Sequence, residues 1–178
     1  MDHVKSALIV GGGIGGMATA IRLAELGTAV TLIDLDPEWR VYGAGITITG
    51  PTLRAYKRLG LIDQIKERGA ITNGTRIRHF TGAVIRELDE PALEEGLPAT
   101  GGIMRPVLHH IMQERIRELP IDVRLGLSVT ALENTDSGVT ATFTDGTAAD
   151  YDLVVGSDSV FSVVRDIAFP HMGAPEET

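Results

Sequence analysis

The sequence predicts a mixed α/β fold in which a parallel layer of strands is interrupted by hairpins. Three observations carry this. The apolar run Ala7-Leu8-Ile9-Val10 ends in glycines, and a helical pattern then leads to a second run, Val30-Thr31-Leu32-Ile33, which makes a βαβ unit with a right-handed crossover. Turn dipeptides punctuate short strand-like runs after residue 120, as in a meander of antiparallel strands. Finally, Leu153-Val154-Val155 returns to an apolar run, read as a buried strand.

Each element has a local reason. Met17 to Leu26 holds good helix formers, with Met17, Ile21 and Ala24 at helical spacing and Gly27 placed to end the helix. Pro51 to Arg68 reads as two short helices, with Pro51 near the first start and Gly60 at its stop. Asn73-Gly74 and Thr81-Gly82 bracket strand-like runs at Thr75 to Phe80 and Ala83 to Leu88, a hairpin excursion. Pro91 to Gly102, with its prolines and glycines, reads as a loop. Arg105 to Leu119 is helical, with Leu108, Ile111, Met112 and Leu119 inward. Val123 to Leu125 is a short strand. The meander follows at Val129 to Glu133, Val139 to Thr144 and Thr147 to Tyr151, joined by Asp136-Ser137-Gly138 and Asp145-Gly146.

Composition narrows the function. At 178 residues, 43% hydrophobic and 22% charged, the chain is an ordinary globular protein with enough length for a full core. Twenty-four acidic against sixteen basic residues give a net charge of −8, which argues against nucleic acid and anionic membrane partners. The absence of cysteine excludes disulfides, thiolate metal sites and a cysteine nucleophile, and it fits a cytoplasmic location. Lys5 and the uncharged stretch Ala7 to Ile21 resemble a signal peptide, but five glycines within Gly11 to Gly16 would break its helix. The expectation is no targeting segment and no membrane span.

The glycine loop carries the chemistry. Gly11, Gly13 and Gly16, then Ala20, Leu23, Gly27, Val30 and Asp34, follow an extended dinucleotide-binding pattern. Gly11 permits the tight turn, Gly13 lets backbone approach a pyrophosphate, and Gly16 brings helix close to strand. The phosphates meet the free N–H groups and positive dipole end of the helix that begins near Gly15, with Ile14 and Gly15 among the expected cofactor-binding residues. Asp34, ending the second strand, accepts hydrogen bonds from a ribose diol, and its charge disfavours a 2′-phosphate. Spacing alone leaves FAD and NAD both open.

Later segments resemble the FAD-dependent monooxygenases of the p-hydroxybenzoate hydroxylase type. Gly43-Ala44-Gly45-Ile46, followed by Gly50-Pro51 and Leu53, is similar to that family's segment beside the flavin. Arg105, with Leu108 and Met112 behind it, resembles the arginine that reaches the ribityl-pyrophosphate region; by itself it would be a surface residue. Val129, after Leu125-Gly126, matches a position whose backbone lies near the adenine. Asp152 to Ser159, then Ser162 and Arg165, resembles the Asp-Gly motif that serves FAD and NAD(P)H. Asp158 within it reads equally as a ligand contact or a helix cap before the resemblance is taken into account. Ser159 stands where the family pattern has glycine.

The resemblance implies a Rossmann-like three-layer FAD-binding domain with a parallel sheet and β-meander, plus the start of a mostly β substrate domain. Residues 1–70 and 101–178 would form the first, and 71–100 an inserted hairpin region of the second. It implies FAD as cofactor, NADH or NADPH as reductant, and molecular oxygen and a small aromatic molecule as substrates. Oxygen would add at the flavin C4a position, and the hydroperoxide would hydroxylate the ring. The family's later Gly-Asp motif is not among these residues, and Phe169 to Thr178 resembles the lead into the substrate-domain sheet. A longer enzyme, of which this is the N-terminal portion, or a homo-oligomer is therefore expected. No catalytic side chain and no metal site is assigned; the adjacent His109 and His110 point about 100° apart on a helix and cannot share a metal. Two rival readings rest on the same residues: a non-catalytic dinucleotide-binding fragment needing a partner segment, and an NAD-dependent dehydrogenase.

Overall fold

The computed structural model describes residues 4–172. These divide into two compact units, one running to Val41 and resuming at Met112, the other Tyr42–Ile111.

The first unit opens with β1 (Ser6–Val10), α1 (Ile14–Glu25) and β2 (Ala29–Asp34). Here β1 and β2 pair in parallel, Ala7 beside Val30 and Val10 beside Ile33. α1 ends because Gly27 takes φ +88, where a residue with a Cβ would be strained. The helix buries Met17, Ala20 and Ile21, and it packs on β1 and β2.

The second unit comprises β3 (Gly45–Thr49), α2 (Gly50–Arg58), α3 (Ile62–Arg68), β4 (Ala70–Thr72), β5 (Gly74–Arg78), β6 (Val84–Asp89) and β7 (Thr100–Met104). The hairpin β5–β6 forms where the turn dipeptides place it, with Gly82 at φ +89 in its tip. The three-stranded antiparallel sheet β3-β7-β4 was not expected from the sequence, and it corrects the loop reading of Pro91 to Gly102 from Thr100 onward. The glycines that suggest a loop are what permit the sheet. A Cβ on Gly101 would lie 2.6 Å from Ile71 Cδ1 and 2.9 Å from the Ala70 carbonyl oxygen, so only glycine lets β4 approach.

α4 (Arg105–Arg117) carries the chain back. Leu108, Ile111 and Met112 are fully buried as the spacing predicts. Leu119, beyond the helix end, is only half-buried, and Ile116 takes the inward position instead. There follow β8 (Ile121–Leu125), the meander β9 (Val129–Thr135), β10 (Gly138–Phe143) and β11 (Ala148–Tyr151), then β12 (Leu153–Gly156) and α5 (Val163–Ala168). The parallel sheet has the order β12-β1-β2-β8, and the meander is antiparallel in the order β11-β10-β9. Leu8, Val10 and Ile33, on one face of the parallel sheet, pack with Val129, Ala141, Phe143 and Tyr151 of the meander. Ala7, Ile9 and Leu32 alternate with them and are fully buried too. With α1 against β1 and β2, this unit has three layers: helix, parallel sheet, meander.

One expectation changes. The last strand is half-buried and not enclosed, because among the described residues β12 is the sheet's edge and pairs only with β1. Of the segment expected to lead into a further sheet, Pro170–Met172 form a short 3-10 turn, and the remainder lies outside the described residues.

Candidate functional site

Strand order positions the site. From β1 the chain crosses to β2 on one side, and β12 later takes the other side, so the sheet has a topological switch point at β1. Ligands of open α/β sheets bind beyond the carboxyl ends of strands at such a point. A cleft of ≈ 420 Å³ lies there, lined among others by Gly11, Gly13, Asp34, Ser128, Ser157 and Asp158.

The loop after β1 is held by its glycines. Gly11 has φ +105, its N–H donates to Ile33 O at 2.8 Å, and a Cβ there would collide with the Ser157 carbonyl oxygen. Gly16 is buried so closely that a Cβ would strike Gly11 O. Gly13 and Gly15 differ: a Cβ at either would meet no atom within 4 Å. Gly13 is the N-cap of α1 and supplies no side-chain cap. The first-turn N–H groups of a twelve-residue helix therefore end at an open cleft without a capping side chain.

Asp34 is engaged from within the chain. Gly12 N–H donates to its Oδ2 at 2.6 Å and Asp36 N–H to its Oδ1 at 2.8 Å. Each carboxylate oxygen can accept two hydrogen bonds and here accepts one, so capacity remains for a diol. Two residues on, hydrogen bonds from the Arg40 side chain hold the Asp36 carboxyl below the usual carboxylate range, helped by the Glu38 N–H. Asp158 lines the same cleft but turns its carboxylate to α5: Ser162 Oγ–H donates to Oδ1 at 2.6 Å and Val164 N–H to Oδ2 at 3.1 Å. Ser159 beside it adopts φ +83, a left-handed conformation that glycine takes more readily than serine.

The remaining expected residues lie apart from this cleft's lining. The Val129 side chain is 2% exposed in the core, and its neighbours Leu127 and Ser128 line the cleft instead. Ile14 and Gly15 begin α1. Ile46 and Arg105 belong to the second unit. Ile46 pairs with Ile103 and lines a cleft of ≈ 480 Å³ with Arg68, Gly69 and Met104. The Arg105 N–H donates to Ala44 O at 3.0 Å, and its side chain lies against Gly43, where a Cβ would be 3.2 Å from Arg105 Cδ. Trp39 and Gly12 were missed. Position 12 is a free position of the dinucleotide pattern, yet a glycine stands there too, the middle of three in a row, and that surplus glycine was the available signal.

With this geometry in place, comparison with known proteins supplies the family. Residues 5–176 match the family described as FAD binding domain, and the chain belongs to it, as the FAD-binding domain of the p-hydroxybenzoate hydroxylase type of monooxygenase. FAD is thus favoured over NAD, which the glycine spacing had left open. YetM of Bacillus subtilis (strain 168) is 34% identical over 163 residues, covering 92% of this chain and 44% of YetM. The 3-amino-4-hydroxybenzoate 2-monooxygenase of Streptomyces platensis is 32% identical over 173 residues, covering 93% of this chain and 43% of its own. Among solved structures, the tetrameric form of 2-methyl-3-hydroxypyridine-5-carboxylic acid oxygenase is 27% identical with a TM-score of 0.78, covering 94% of this chain and 43% of that one. The p-nitrophenol 4-monooxygenase of Pseudomonas putida DLL-E4 shares the fold, with a TM-score of 0.81 at 24% identity, over 95% of this chain and 44% of its own. The chain spans about two fifths of the length of these relatives. Among the described residues, no helix is long and apolar enough to cross a membrane.

Proposed function

We propose that the cleft beyond β1, β2 and β12 holds the ADP portion of FAD, in a flavoprotein that uses NADH or NADPH and oxygen to hydroxylate a small aromatic molecule. The carrying observation is the cradle at Gly13: open space beside the loop, an uncapped helix start, and a carboxylate at the end of the neighbouring strand. The N–H groups from Gly13 to Gly16 would donate to the diphosphate, where the helix dipole also favours negative charge. Asp34 would accept from the ribose diol, and Ser128 with the backbone of Val129 would border the adenine. Family resemblance assigns Ile46 and Arg105 to the flavin side, Asp158 to the Asp-Gly motif that serves FAD and NAD(P)H, and residues 71–100 to the substrate domain.

When bound, FAD supplies the redox and oxygen chemistry. The chain's own residues anchor and orient it; no side chain here is assigned a proton transfer. The name of the Streptomyces relative specifies an aromatic acid bearing amino and hydroxyl groups, which supports an electron-rich ring as the substrate class.

Gly13→Ala tests the reading. The substitution meets no protein atom and, as a poorer N-cap, costs about 1 kcal/mol of stability. A bound diphosphate would meet the new methyl group, so FAD and ADP affinity should fall at least about tenfold by titration calorimetry while the fold is retained. Undiminished affinity in the folded variant would remove the assignment of the cleft.

A further inference from the structure

One residue of the glycine loop is gripped at both of its backbone polar groups, by the last residue of β2 and by the segment after it. The Gly12 N–H donates to Asp34 Oδ2 at 2.6 Å, and Trp39 Nε1–H donates to Gly12 O at 2.8 Å. The indole fills the space that a Cβ at Gly12 would need, so position 12 must be glycine because Trp39 occupies it. Trp39 is 7% exposed and takes φ +49, an uncommon and strained conformation for a bulky residue. Two further bonds hold it there: its own N–H donates to Asp36 O at 3.0 Å, and Gln113 Nε2–H donates to its carbonyl oxygen at 3.1 Å.

A trans peptide is planar, so the C=O of Gly12 and the N–H of Gly13 point in opposite directions. Anchoring Gly12 O on the indole therefore turns the Gly13 N–H away from Trp39. Gly13 is the cleft-lining glycine with open space beside it. We propose that Trp39 is a positioning residue for diphosphate binding, fixing the Gly12–Gly13 peptide before the ligand arrives. This rests on the reading that the cleft takes the ADP portion of a dinucleotide. Without the indole bond, part of the binding energy would go into ordering the loop.

The test uses the purified full chain, with ADP as probe and adenosine as its phosphate-free control. Trp39→Phe keeps most of the ring and deletes the N–H. The ADP dissociation constant should rise about fivefold, the scale of one hydrogen bond, with adenosine binding unchanged. Equal ADP affinity, or equal losses for ADP and adenosine, overturns the proposal. Wild-type protein that binds neither probe overturns the reading of the cleft and the proposal with it. Should Trp39→Phe fail to fold, the wild type still decides. Trp39 is the only tryptophan, so its indole N–H gives one nuclear magnetic resonance signal. A signal protected from solvent exchange and shifted by ADP supports the proposal; one that exchanges freely and does not respond overturns it.

Discussion

Two loops leave neighbouring parallel strands, and they solve the same geometric problem differently. The loop after β1 turns at Gly11, φ +105, and enters α1 with no side-chain cap. The loop after β12 turns at Ser159, φ +83, and enters α5 with two side chains at the helix start: Asp158 accepts from Val164 N–H, and Ser162 Oγ accepts from Arg165 N–H at 3.0 Å. Ser157 N–H ties the second to the first through Val10 O at 2.7 Å. One helix start is closed by its own chain, and the other is left open at the cleft. The contrast supports the proposed anion site at the open N-terminus, with the capped loop as a wall of the cleft.

The largest expected effect comes from breaking the first turn. Gly11→Ala combines left-handed strain with a collision against the Ser157 backbone, and it should destabilise by about 4 kcal/mol in denaturant unfolding. A loss under about 1 kcal/mol would mean that the loop relaxes easily and that its rigidity is overstated. Next, Asp158→Ala removes both bonds to the start of α5 and should cost about 1–2 kcal/mol. If it abolished ADP binding without touching stability, the wall would instead be a direct ligand. The smallest effect has the opposite sign. Ser159→Gly relieves about 1–2 kcal/mol of left-handed strain, less the glycine's entropic cost, for a net gain of about 0.5–1 kcal/mol. A destabilised Ser159→Gly would show that the serine hydroxyl contributes more than its backbone loses.

The same contrast explains what could be read from the chain. The βαβ unit and the meander are local: apolar runs, a helical repeat and turn glycines such as Gly146, φ +83, lie within a few residues of what they specify. The roles of Gly11 and Gly16 were legible for the same reason. The β3-β7-β4 sheet was not, because Thr100-Gly101-Gly102 has poor strand propensity and becomes a strand only where Ile71 fills the space its glycines leave. Trp39 was illegible because its partners, Gly12 and Gln113, lie 27 and 74 residues away. Asp34 was readable as an acid ending the second strand, but not as one already accepting two backbone N–H groups.

The edge position of β12 also governs how the protein is made. Ser6 and Asp152, bonded to each other at the start of β1 and β12, are 146 residues apart. At roughly 5–20 residues per second, the ribosome completes β1 about 7–30 s before its partner β12 exists. Throughout that interval one side of β1 offers unpaired amides and carbonyls to any neighbouring nascent chain. Yield in the cell should thus depend on translation speed and holdase supply more than the folded molecule's stability would suggest.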